Sequence, residues 1–430
     1  MQKLALSELH AQLKSQKSVK GEIARQFKNV AKGSDEHQQL LMQMQKISAE
    51  INETETVIKT ISKNAASIES TAGPNNIAFD YLQPELIFDG TFKITLAKDT
   101  TDWKLFLGQN THTPYHQPAW QDLIKNEFGH ETIVLIAHDS LRNILGAMPL
   151  TIFSSKLFGR FAVSIPFINY GGAITQYKNI SQTLVQECKY LLAKFNLSHI
   201  EVRSIQPDLY PVFTDKKASM ILRLPESDEI LDKSLGAKLR SQYKKADDYS
   251  PKLSIGKTDL LDDFYQVFAR NMRDLGTPVY PKHFFRAILE NEHIGATILC
   301  VSVSRKPVSA AFLIANNNIL EIPWASTITE ANKQNMNMWM YRQILSFAIE
   351  NKFEFFDFGR STIDAGTYKF KKQWGAIPTQ HYWYYIMPEG QALPEINPNN
   401  PKYKLFISLW KLMPVWLTKI IGPLLIKHIP

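Results

Sequence analysis

The sequence predicts an α+β protein in which two copies of one α+β unit follow a helical hairpin and precede a basic tail. Three observations predict this class. The first 70 residues have a helical pattern only, the next 300 residues repeat one order of elements, and the last 35 change composition again. The predicted divisions are the hairpin over 1–70, a linker over 71–90, the two units over 91–250 and 251–395, and the tail over 396–430.

The composition is that of a globular protein. Of the 430 residues, 44% are hydrophobic and 21% are charged, which excludes wholesale disorder, collagen and a small disulfide-bonded scaffold. At roughly 150 residues per domain, the length predicts about three units, each able to bury a core. The formal net charge of +8 permits a phosphate, a nucleic acid or a lipid surface as partner. An ordinary basic surface explains the charge equally well.

Cysteine usage and the N-terminus bear on the compartment. Cys188 and Cys300 lie far apart and form neither a metal-site spacing nor a Cys-x-x-Cys motif, so a reducing compartment fits them. The first residues lack the apolar stretch of a signal peptide, and we therefore expect a cytoplasmic protein. No zinc pattern, Walker loop or Gly-x-Gly-x-x-Gly motif is present in the sequence, and we predict no metal site.

The N-terminal region carries a heptad pattern. Apolar residues and one threonine recur in steps of four and three, which is typical of a coiled-coil seam. Gly33 can end a first helix, and Ser34 or Asp35 can cap a second. The simplest structure is an antiparallel helical hairpin. The seam residues are Leu40, Met44, Ile47, Ile51, Thr54, Ile58 and Ile61.

The following 300 residues contain an internal repeat. Thr113-Pro114 and Thr277-Pro278 are 164 positions apart, and Leu150 and Leu313 are 163 apart. The same order of elements at nearly the same offset indicates two copies of one unit. The first copy is predicted as helices 101–110 and 117–128 with strands 132–137 and 144–153, and the second as helices 260–275 and 281–290 with strands 296–303 and 308–314.

The second copy continues into a feature that indicates a ligand site. Pro323 lies in the predicted strand 319–325, where a proline cannot donate to the ladder, so pairing should break or bulge there. A helix over 330–350 and a parallel strand over 353–359 follow. Strands that part at their carboxyl ends leave a cleft where ligands bind.

The strongest candidate site follows that last strand. Arg360 can clamp a phosphate or carboxylate, Tyr368 can donate a proton, and Lys371 can stabilise an oxyanion. Asp357, at the exit of the strand, is either a site acid or a cap. A basic surface turn that closes the domain is the alternative interpretation of the whole cluster.

Two further features are candidate substrate contacts. Arg240, Tyr243 and Lys244 lie in a basic helix that could grip an anionic substrate or a tRNA backbone, although charge runs more often form solvated helix faces. The glycine-rich loop Ile165–Gly172 contains Tyr170 and permits close backbone approach, or simply makes a turn. His116, beside Tyr115, is a candidate base or a structural histidine.

The tail combines lysines with aromatic residues. From Pro401 onward it holds five lysines and no acid, and its apolar runs are too short for a helix of ~20 apolar residues that spans a membrane. Trp410, Trp416 and the lysines suit a segment that lies on a membrane surface. A C-terminal helix packed on the body is the alternative.

Several segments together resemble FemAB-like proteins, and most closely the branch associated with the PEP-CTERM (exosortase) system. They are Thr113–His116, Pro166–Gly172, Leu275–Tyr280, Asp357–Ser361, Gly366–Gly375 and the tail from Asn399 to Pro430. The resemblance covers roughly residues 90–430 and is most specific in Phe370-Lys371-Lys372-Gln373-Trp374-Gly375. It implies tandem acetyltransferase-like (GNAT) domains. Better-known members transfer an aminoacyl group from charged tRNA to an amine of a peptidoglycan precursor, and Lys371 matches a lysine that stabilises the reacting carbonyl. The candidate substrate-binding residues are Tyr115, His116, Tyr170, Arg240, Tyr243, Lys244, Tyr280, Trp324 and Trp374.

The hairpin is similar to the tRNA-binding arm of seryl-tRNA synthetases. In FemA-type proteins a comparable arm is an internal insertion, whereas here it precedes both units. A homodimer formed through the coiled coil is therefore the alternative to tRNA binding, and we favour it. The stretch Thr327–Asn337 also lacks the glycines of a coenzyme-A phosphate loop, which argues against an ordinary acetyl-CoA enzyme without excluding other acyl donors.

The predicted function is an acyl or aminoacyl transferase that forms an amide on an amine of a peptidoglycan or exopolysaccharide-related precursor. No bound cofactor is expected, because the donor is a co-substrate: aminoacyl-tRNA, or alternatively an acyl thioester on coenzyme A or a carrier protein. The rival from another class is a non-catalytic adaptor. In that case the coiled coil recruits a partner and residues 401–430 contact the inner face of a membrane.

Overall fold

The computed structural model describes residues 2–27, 30, 34–69, 78–97, 100–155, 159–391, 393 and 401–429. The chain divides into two compact units, Met1–Gly73 and Pro74–Pro430. Each unit is described by itself. The part of the predicted linker before residue 78 lies outside the described residues, whereas Phe79 and Leu82 are buried in the core of the second unit.

The first unit consists of two helices, α1 (Gln2–Gln26) and α2 (Asp35–Glu69), that pack against each other. The amide of His37 donates to the hydroxyl oxygen of Ser34 at 3.2 Å, so Ser34 caps α2 as predicted. Gly33 and the side chains of Ile58 and Ile61 lie outside the described residues. The apolar seam between the helices contains Ile23, Leu40, Ile47 and Ile51, of which the last three belong to the predicted heptad.

The second unit contains two mixed sheets flanked by helices. Its described strands are β1 (Phe92–Leu96), β2 (Glu131–Asp139), β3 (Ile144–Ser155), β4 (Gly159–Val163), β5 (Ile174–Thr175), β6 (Ile200–Ser204), β7 (Phe213–Thr214), β8 (Lys217–Arg223), β9 (Lys252–Gly256), β10 (Gly295–Val303), β11 (Lys306–Asn316), β12 (Ile319–Thr327), β13 (Phe355–Thr362), β14 (Ile377–Gln380) and β15 (Tyr382–Ile386). Its described helices are α3 (Thr101–Leu107), α4 (Pro118–Phe128), α5 (Lys178–Lys194), α6 (Asp228–Ser234), α7 (Ala237–Lys245), α8 (Leu261–Leu275), α9 (Lys282–Glu290), α10 (Thr329–Asn332), α11 (Met336–Glu350), α12 (Gly366–Lys372), α13 (Pro401–Leu412) and α14 (Val415–Ile426).

Within the described residues, the first sheet has the order β1-β2-β3-β4-β6-β15-β7, with β5 paired to β3, and the second has the order β14-β8-β13-β12-β11-β10-β9. We call each sheet with its helices a module. The elements α3, α4, β2 and β3 of the first module recur in the same order as α8, α9, β10 and β11 of the second. This confirms the predicted repeat and the tandem α+β fold.

The two modules exchange strands. Strand β8 precedes the predicted boundary at residue 250 but lies in the second sheet, and β15 returns from the second half of the chain into the first sheet between β6 and β7. Neither half of the chain therefore supplies a complete sheet alone. An aromatic core also joins the modules, since the ring of Phe284 on α9 lies 4.9 Å from that of Phe128 and 6.2 Å from that of Trp120 on α4.

The predicted strand with Pro323 bulges as expected. In the pairing of β11 with β12, Phe312 pairs with Trp324 and Ile314 with Glu321, so the register shifts where the proline lies. Cys188 and Cys300 are both buried free thiols. In the part of the chain that the structure describes, no helix is long and apolar enough to cross a membrane.

The tail folds into two helices that pack on α8, which agrees with the packed alternative for that segment. Trp410 is fully buried, but Trp416 is largely exposed. The tail therefore has one side on the body and one side facing solvent.

Candidate functional site

Strands β12 and β13 separate at their carboxyl ends. They pair in parallel at Ile319–Phe355, Leu320–Phe356 and Glu321–Asp357, and pairing ends there although both strands continue. The proline bulge in β12 and a register shift in β13 after Asp357 accompany the separation. Beyond the last pair, the backbone groups of β12 and β13 that face each other no longer pair across the gap and become available to side chains or to a ligand.

Two carboxyl groups lie at the base of this separation. The Glu321 carboxylate accepts hydrogen bonds from the hydroxyls of Tyr115, at 2.6 Å, and Tyr170, and from the amide of Asn316 at 2.5 Å. Burial raises the pKa of Glu321. Both tyrosines come from the first module, and Glu321 comes from the second, so the modules meet at a buried polar cluster.

The neighbouring carboxyl group belongs to Asp357, which has no solvent exposure. Burial and the adjacent Glu321 charge raise its pKa to about 7. One oxygen accepts the Gly359 amide at 2.7 Å, and the other has no well-formed hydrogen bond to any described residue. Asp357 is consequently poised to hold or release a proton near neutral pH.

The ammonium group of Lys371 lies just beyond the acids. It donates to the carbonyl oxygens of Gly359, at 2.9 Å, and Arg360, at 3.0 Å, which are the carbonyls that β13 presents where it leaves β12. Burial lowers the pKa of Lys371 to about 8, against the opposing effect of the Asp357 carboxylate. An ammonium has three N–H donors, and two are used here, so one is left for a ligand.

Gly359 permits this arrangement. Its φ is +77°, and a Cβ atom there would lie 3.3 Å from the Ile322 carbonyl oxygen, 3.5 Å from Asn169 Nδ2 and 3.9 Å from Lys371 Nζ. A side chain at this position would be strained and crowded. Asn169, from the predicted loop Ile165–Gly172, therefore approaches the same glycine as the lysine does.

Two guanidinium groups lie over one indole ring next to this turn. Arg360 lies 4.7 Å and Arg203 4.5 Å from the centre of the Trp383 ring. Arg203 pairs with Glu201 at 2.6 Å, whereas Arg360 forms no ion pair with a described residue. Burial among neighbouring protein groups, and then the Arg203 charge, lower the pKa of Arg360 to about 10. Part of the Arg360 side chain still reaches solvent. An unpaired cation beside a second one is a place for an anion.

Three more predicted residues can be placed relative to this turn. Tyr280 lies near Arg360 and Arg203, whose charges oppose the burial that raises its pKa to about 12. Its ring packs against Trp324, 5.9 Å away between centres. Tyr368 lies on α12, one turn before Lys371, and burial raises its pKa.

Other predicted residues have roles within the fold. Trp374 is buried with Phe356 and Phe358 in the hydrophobic core to which α11 contributes. The ring of His116 contacts the Thr113 hydroxyl at 2.7 Å and the Gly172 carbonyl at 3.2 Å, and burial lowers its pKa to about 3. This neutral, fully bonded imidazole has the environment of the structural alternative.

The basic helix α7 lies apart from these contacts. The Arg240 guanidinium donates to the carbonyl oxygens of Asp232, at 3.0 Å, and Leu235. The Tyr243 hydroxyl donates to the Asp232 carboxylate at 2.8 Å. Lys244 is exposed. The first two side chains fix the turn between α6 and α7, and of these three residues Lys244 is the one with a solvated charge.

Sequence reasoning did not select Glu321, Asn169, Arg203 or Trp383. Glu321 had a usable signal, because a lone acid in the apolar run Ile319–Ile322 must be hydrogen-bonded or functional. Arg203 and Trp383 carried none. They meet only because β15 inserts beside β6, which local sequence does not indicate.

The comparisons agree with this architecture. Residues 233–372 match the family model described as acetyltransferase (GNAT) domain, a range that includes Glu321, Asp357, Arg360 and Lys371. This match supports the prediction that the protein is an acyltransferase. No sequence among curated proteins matches the chain.

Solved structures are similar at low identity. FemX is 13% identical with a TM-score of 0.50, over 73% of this chain and 100% of that chain. A tandem GNAT protein from the clavulanic acid biosynthesis pathway is 9% identical with a TM-score of 0.44, over 69% of this chain and 98% of that chain. A C-terminal domain of a putative lysylphosphatidylglycerol synthetase from Agrobacterium fabrum is 11% identical with a TM-score of 0.44, over 63% of this chain and 88% of that chain. The likeness to FemX shows a Fem-like GNAT fold.

Proposed function

We propose that the protein is an acyl or aminoacyl transferase that forms an amide on an amine of a cell-envelope precursor. One observation carries the proposal: a buried ammonium, Lys371, lies where β12 and β13 separate, within the region that matches a GNAT domain. The resemblance to FemAB-like proteins supports the envelope precursor as acceptor, with peptidoglycan or exopolysaccharide-related chemistry.

In the proposed reaction, the neutral amine attacks an ester or thioester carbonyl carbon. A C–N bond forms and the C–O or C–S bond breaks. The proton lost by the nitrogen ends on the departing oxygen or sulfur, directly within the complex of the two substrates. Alignment of the two substrates in one site supplies much of the rate, because it removes the entropic cost of their encounter.

Lys371 is proposed to stabilise the oxyanion that develops on the attacked carbonyl. Its two backbone acceptors fix the ammonium in one position, so the third N–H is already oriented before the reaction begins. The nearby Asp357 carboxylate favours the charged form of the lysine. This effect matters because burial has brought the pKa of Lys371 to about 8.

Arg360 is proposed to bind an anionic group of the acceptor, a phosphate or a carboxylate. Its guanidinium lies over the Trp383 ring and has no acidic partner among the described residues. Tyr280 lies beside it and can donate to the same anion. Tyr368, one turn before Lys371 on α12, and Trp324, whose ring packs against Tyr280, are proposed to line the substrate path.

We propose aminoacyl-tRNA as the donor, which would make this a cytoplasmic reaction. Two observations support it: the helical hairpin at the N-terminus, and the absence of glycine from 327–337, where a coenzyme-A phosphate loop would need it. An acyl thioester on coenzyme A or a carrier protein is the alternative donor. In the hairpin the seam residues Leu40, Ile47 and Ile51 are already buried between α1 and α2, which favours an arm over a dimer.

The experiment is mass spectrometry of envelope precursors after incubation with the full chain and each donor in turn. A mass gain of one aminoacyl group with charged tRNA, lost in Lys371→Ala and retained in Lys372→Ala, is the expected result. Lys372 is a matched control, since it lies on the same helix and is exposed. A mass gain with acyl-CoA but not with charged tRNA would identify an acyl thioester as the donor instead. No gain with any donor, or equal gain in both variants, would contradict the proposal.

A further inference from the structure

The tail helices expose a row of large apolar side chains. Between 52% and 80% of each side chain in the row is exposed, although such residues normally lie inside a protein. We call this row the tail ridge. It comprises Leu405, Leu409, Leu412, Trp416, Ile420 and Leu424.

The spacing of the tail ridge is helical. Its members follow one another at steps of four, three, four, four and four residues, which keeps them on one side of α13 and of α14. The opposite side packs on the body through Trp410, Thr418 and Ile426, all buried. At Gly422 the helix approaches so closely that a Cβ atom would lie 2.8 Å from the Val279 nitrogen. The exposed row is therefore the outer face of a tightly docked pair of helices.

Polar contacts hold the two tail helices on the body at the turn between them and at the end of α14. The Arg273 guanidinium donates to the Met413 carbonyl at 3.0 Å, between the two helices. His130, the residue before β2, contacts the Lys427 carbonyl at 2.6 Å, at the end of α14. Because both modules anchor the tail in this way, the ridge is presented on a rigid support.

The charge of the tail selects the partner. Residues 401–430 contain no aspartate or glutamate, and their five lysines account for +5 of the formal net charge of +8. Two such tails would repel each other, which disfavours a second copy of the chain as the occupant. An anionic lipid surface complements both properties, since its interior accepts apolar side chains and its headgroups attract lysines. The lysines are Lys402, Lys404, Lys411, Lys419 and Lys427.

We infer that α13 and α14 dock the protein on an anionic lipid surface, with the tail ridge inserted among the acyl chains and the net positive charge of the tail attracted to the headgroups. Neither helix, at 12 residues each, can span a bilayer, so the contact is peripheral. Trp416, in the middle of the ridge, is the aromatic residue suited to the interface. This inference is independent of the reaction proposed above.

The test is sedimentation of the full chain with vesicles of phosphatidylcholine, with or without phosphatidylglycerol. The chain should bind the phosphatidylglycerol vesicles, and added salt should weaken binding by screening the lysines. The double variant Leu412→Ser/Trp416→Ser should bind at least about tenfold more weakly, because two large apolar side chains leave the bilayer. Leu141→Ser is the matched control and should bind like the unaltered chain, since Leu141 is 81% exposed on the β2–β3 turn.

A second measurement locates the contact. Lipids brominated on the acyl chain should quench part of the tryptophan fluorescence, and Trp416→Phe should remove that part. Failure to bind phosphatidylglycerol vesicles would overturn the inference, as would equal binding by the double variant or indifference to lipid charge. A dimer in solution that the double variant disrupts, without vesicle binding, would assign the ridge to a second copy instead.

Discussion

Glu321 and Asp357 lie opposite each other at the last paired position of β12 and β13, and both carboxyl groups are buried. Two adjacent buried acids cannot both ionise without a large cost. Burial, and then the charge of Glu321, raise the pKa of Asp357 to about 7, while three hydrogen bonds favour the charged form of Glu321. The strand separation is thus linked to a proton near neutrality, beside the Lys371 ammonium.

The raised pKa of Asp357 predicts a pH-dependent stability. The folded protein holds this proton more tightly than an unfolded chain with a pKa of 3.8, so the free energy of unfolding should fall as pH rises from about 4 to about 7. Asp357→Asn removes this contribution. Compared with the variant, the unaltered protein should lose up to about 4 kcal/mol of its free energy of unfolding across that window, at about 1.4 kcal/mol per pKa unit.

Guanidinium unfolding between pH 4 and pH 8 checks this prediction. Asp364→Asn is the matched control, because Asp364 is exposed on the following turn. Parallel pH profiles for the unaltered protein and Asp357→Asn would show that Asp357 has an ordinary pKa.

The lowered pKa of Lys371 predicts the alkaline limb of activity. If the ammonium stabilises the oxyanion, kcat should fall as pH rises through about 8, where the lysine loses its proton. The Asp357 carboxylate raises that pKa, so Asp357→Asn should move the limb to lower pH by roughly one unit. The measurement is kcat against pH for both proteins with one saturating amine. An alkaline limb at the same pH in both proteins would show that Asp357 does not affect the pKa of Lys371.

Arg360 is predicted to govern binding of the acceptor. Arg360→Gln should raise KM for an anionic acceptor by about 10- to 100-fold, because hydrogen bonds to a charged group are lost, and should change kcat much less. Steady-state kinetics with Arg223→Gln as control checks this, since Arg223 is an exposed arginine of β8. A large fall in kcat at unchanged KM would move Arg360 from substrate binding to the chemical step.

Gly359 is predicted to be the least replaceable glycine of the site. Gly359→Ala should cost roughly 1–3 kcal/mol of stability, because its φ of +77° is strained for alanine and the Ile322 carbonyl is only 3.3 Å from the new Cβ. Gly366→Ala, where nothing lies within 4 Å, is the control and should leave stability almost unchanged. Thermal unfolding of both variants makes the comparison. Equal melting temperatures would mean that the turn tolerates a side chain.

Much of the fold could be predicted from the sequence, because its signals are local. The repeat of helix, helix, strand and strand, the bulge at Pro323 and the cap at Ser34 each depend on residues close together in the chain. The exchange of β8 and β15 between sheets could not be predicted in this way. It depends on which distant strand completes each sheet, and neither strand carries a mark of its partner.

The candidate site was predictable in part for the same reason. Asp357, Arg360 and Lys371 come from one segment of 15 residues, and the structure brings them together at the strand separation. Arg240 and Tyr243 carry the same residue chemistry but are bonded within their own turn. Residue type predicts which side chains can act, whereas burial and partners decide which are free to do so.

The rate of the chemical step in Lys371→Ala decides whether Lys371 stabilises the oxyanion. It should be measured with the substrate pair that mass spectrometry identifies, beside Lys372→Ala and after thermal unfolding shows that both variants are folded. We expect Lys371→Ala to lower kcat by about 10²- to 10³-fold, as for loss of one oxyanion donor, and Lys372→Ala to stay close to the unaltered enzyme. A folded Lys371→Ala variant that keeps kcat within about threefold, a change of under 1 kcal/mol in the barrier, would contradict it.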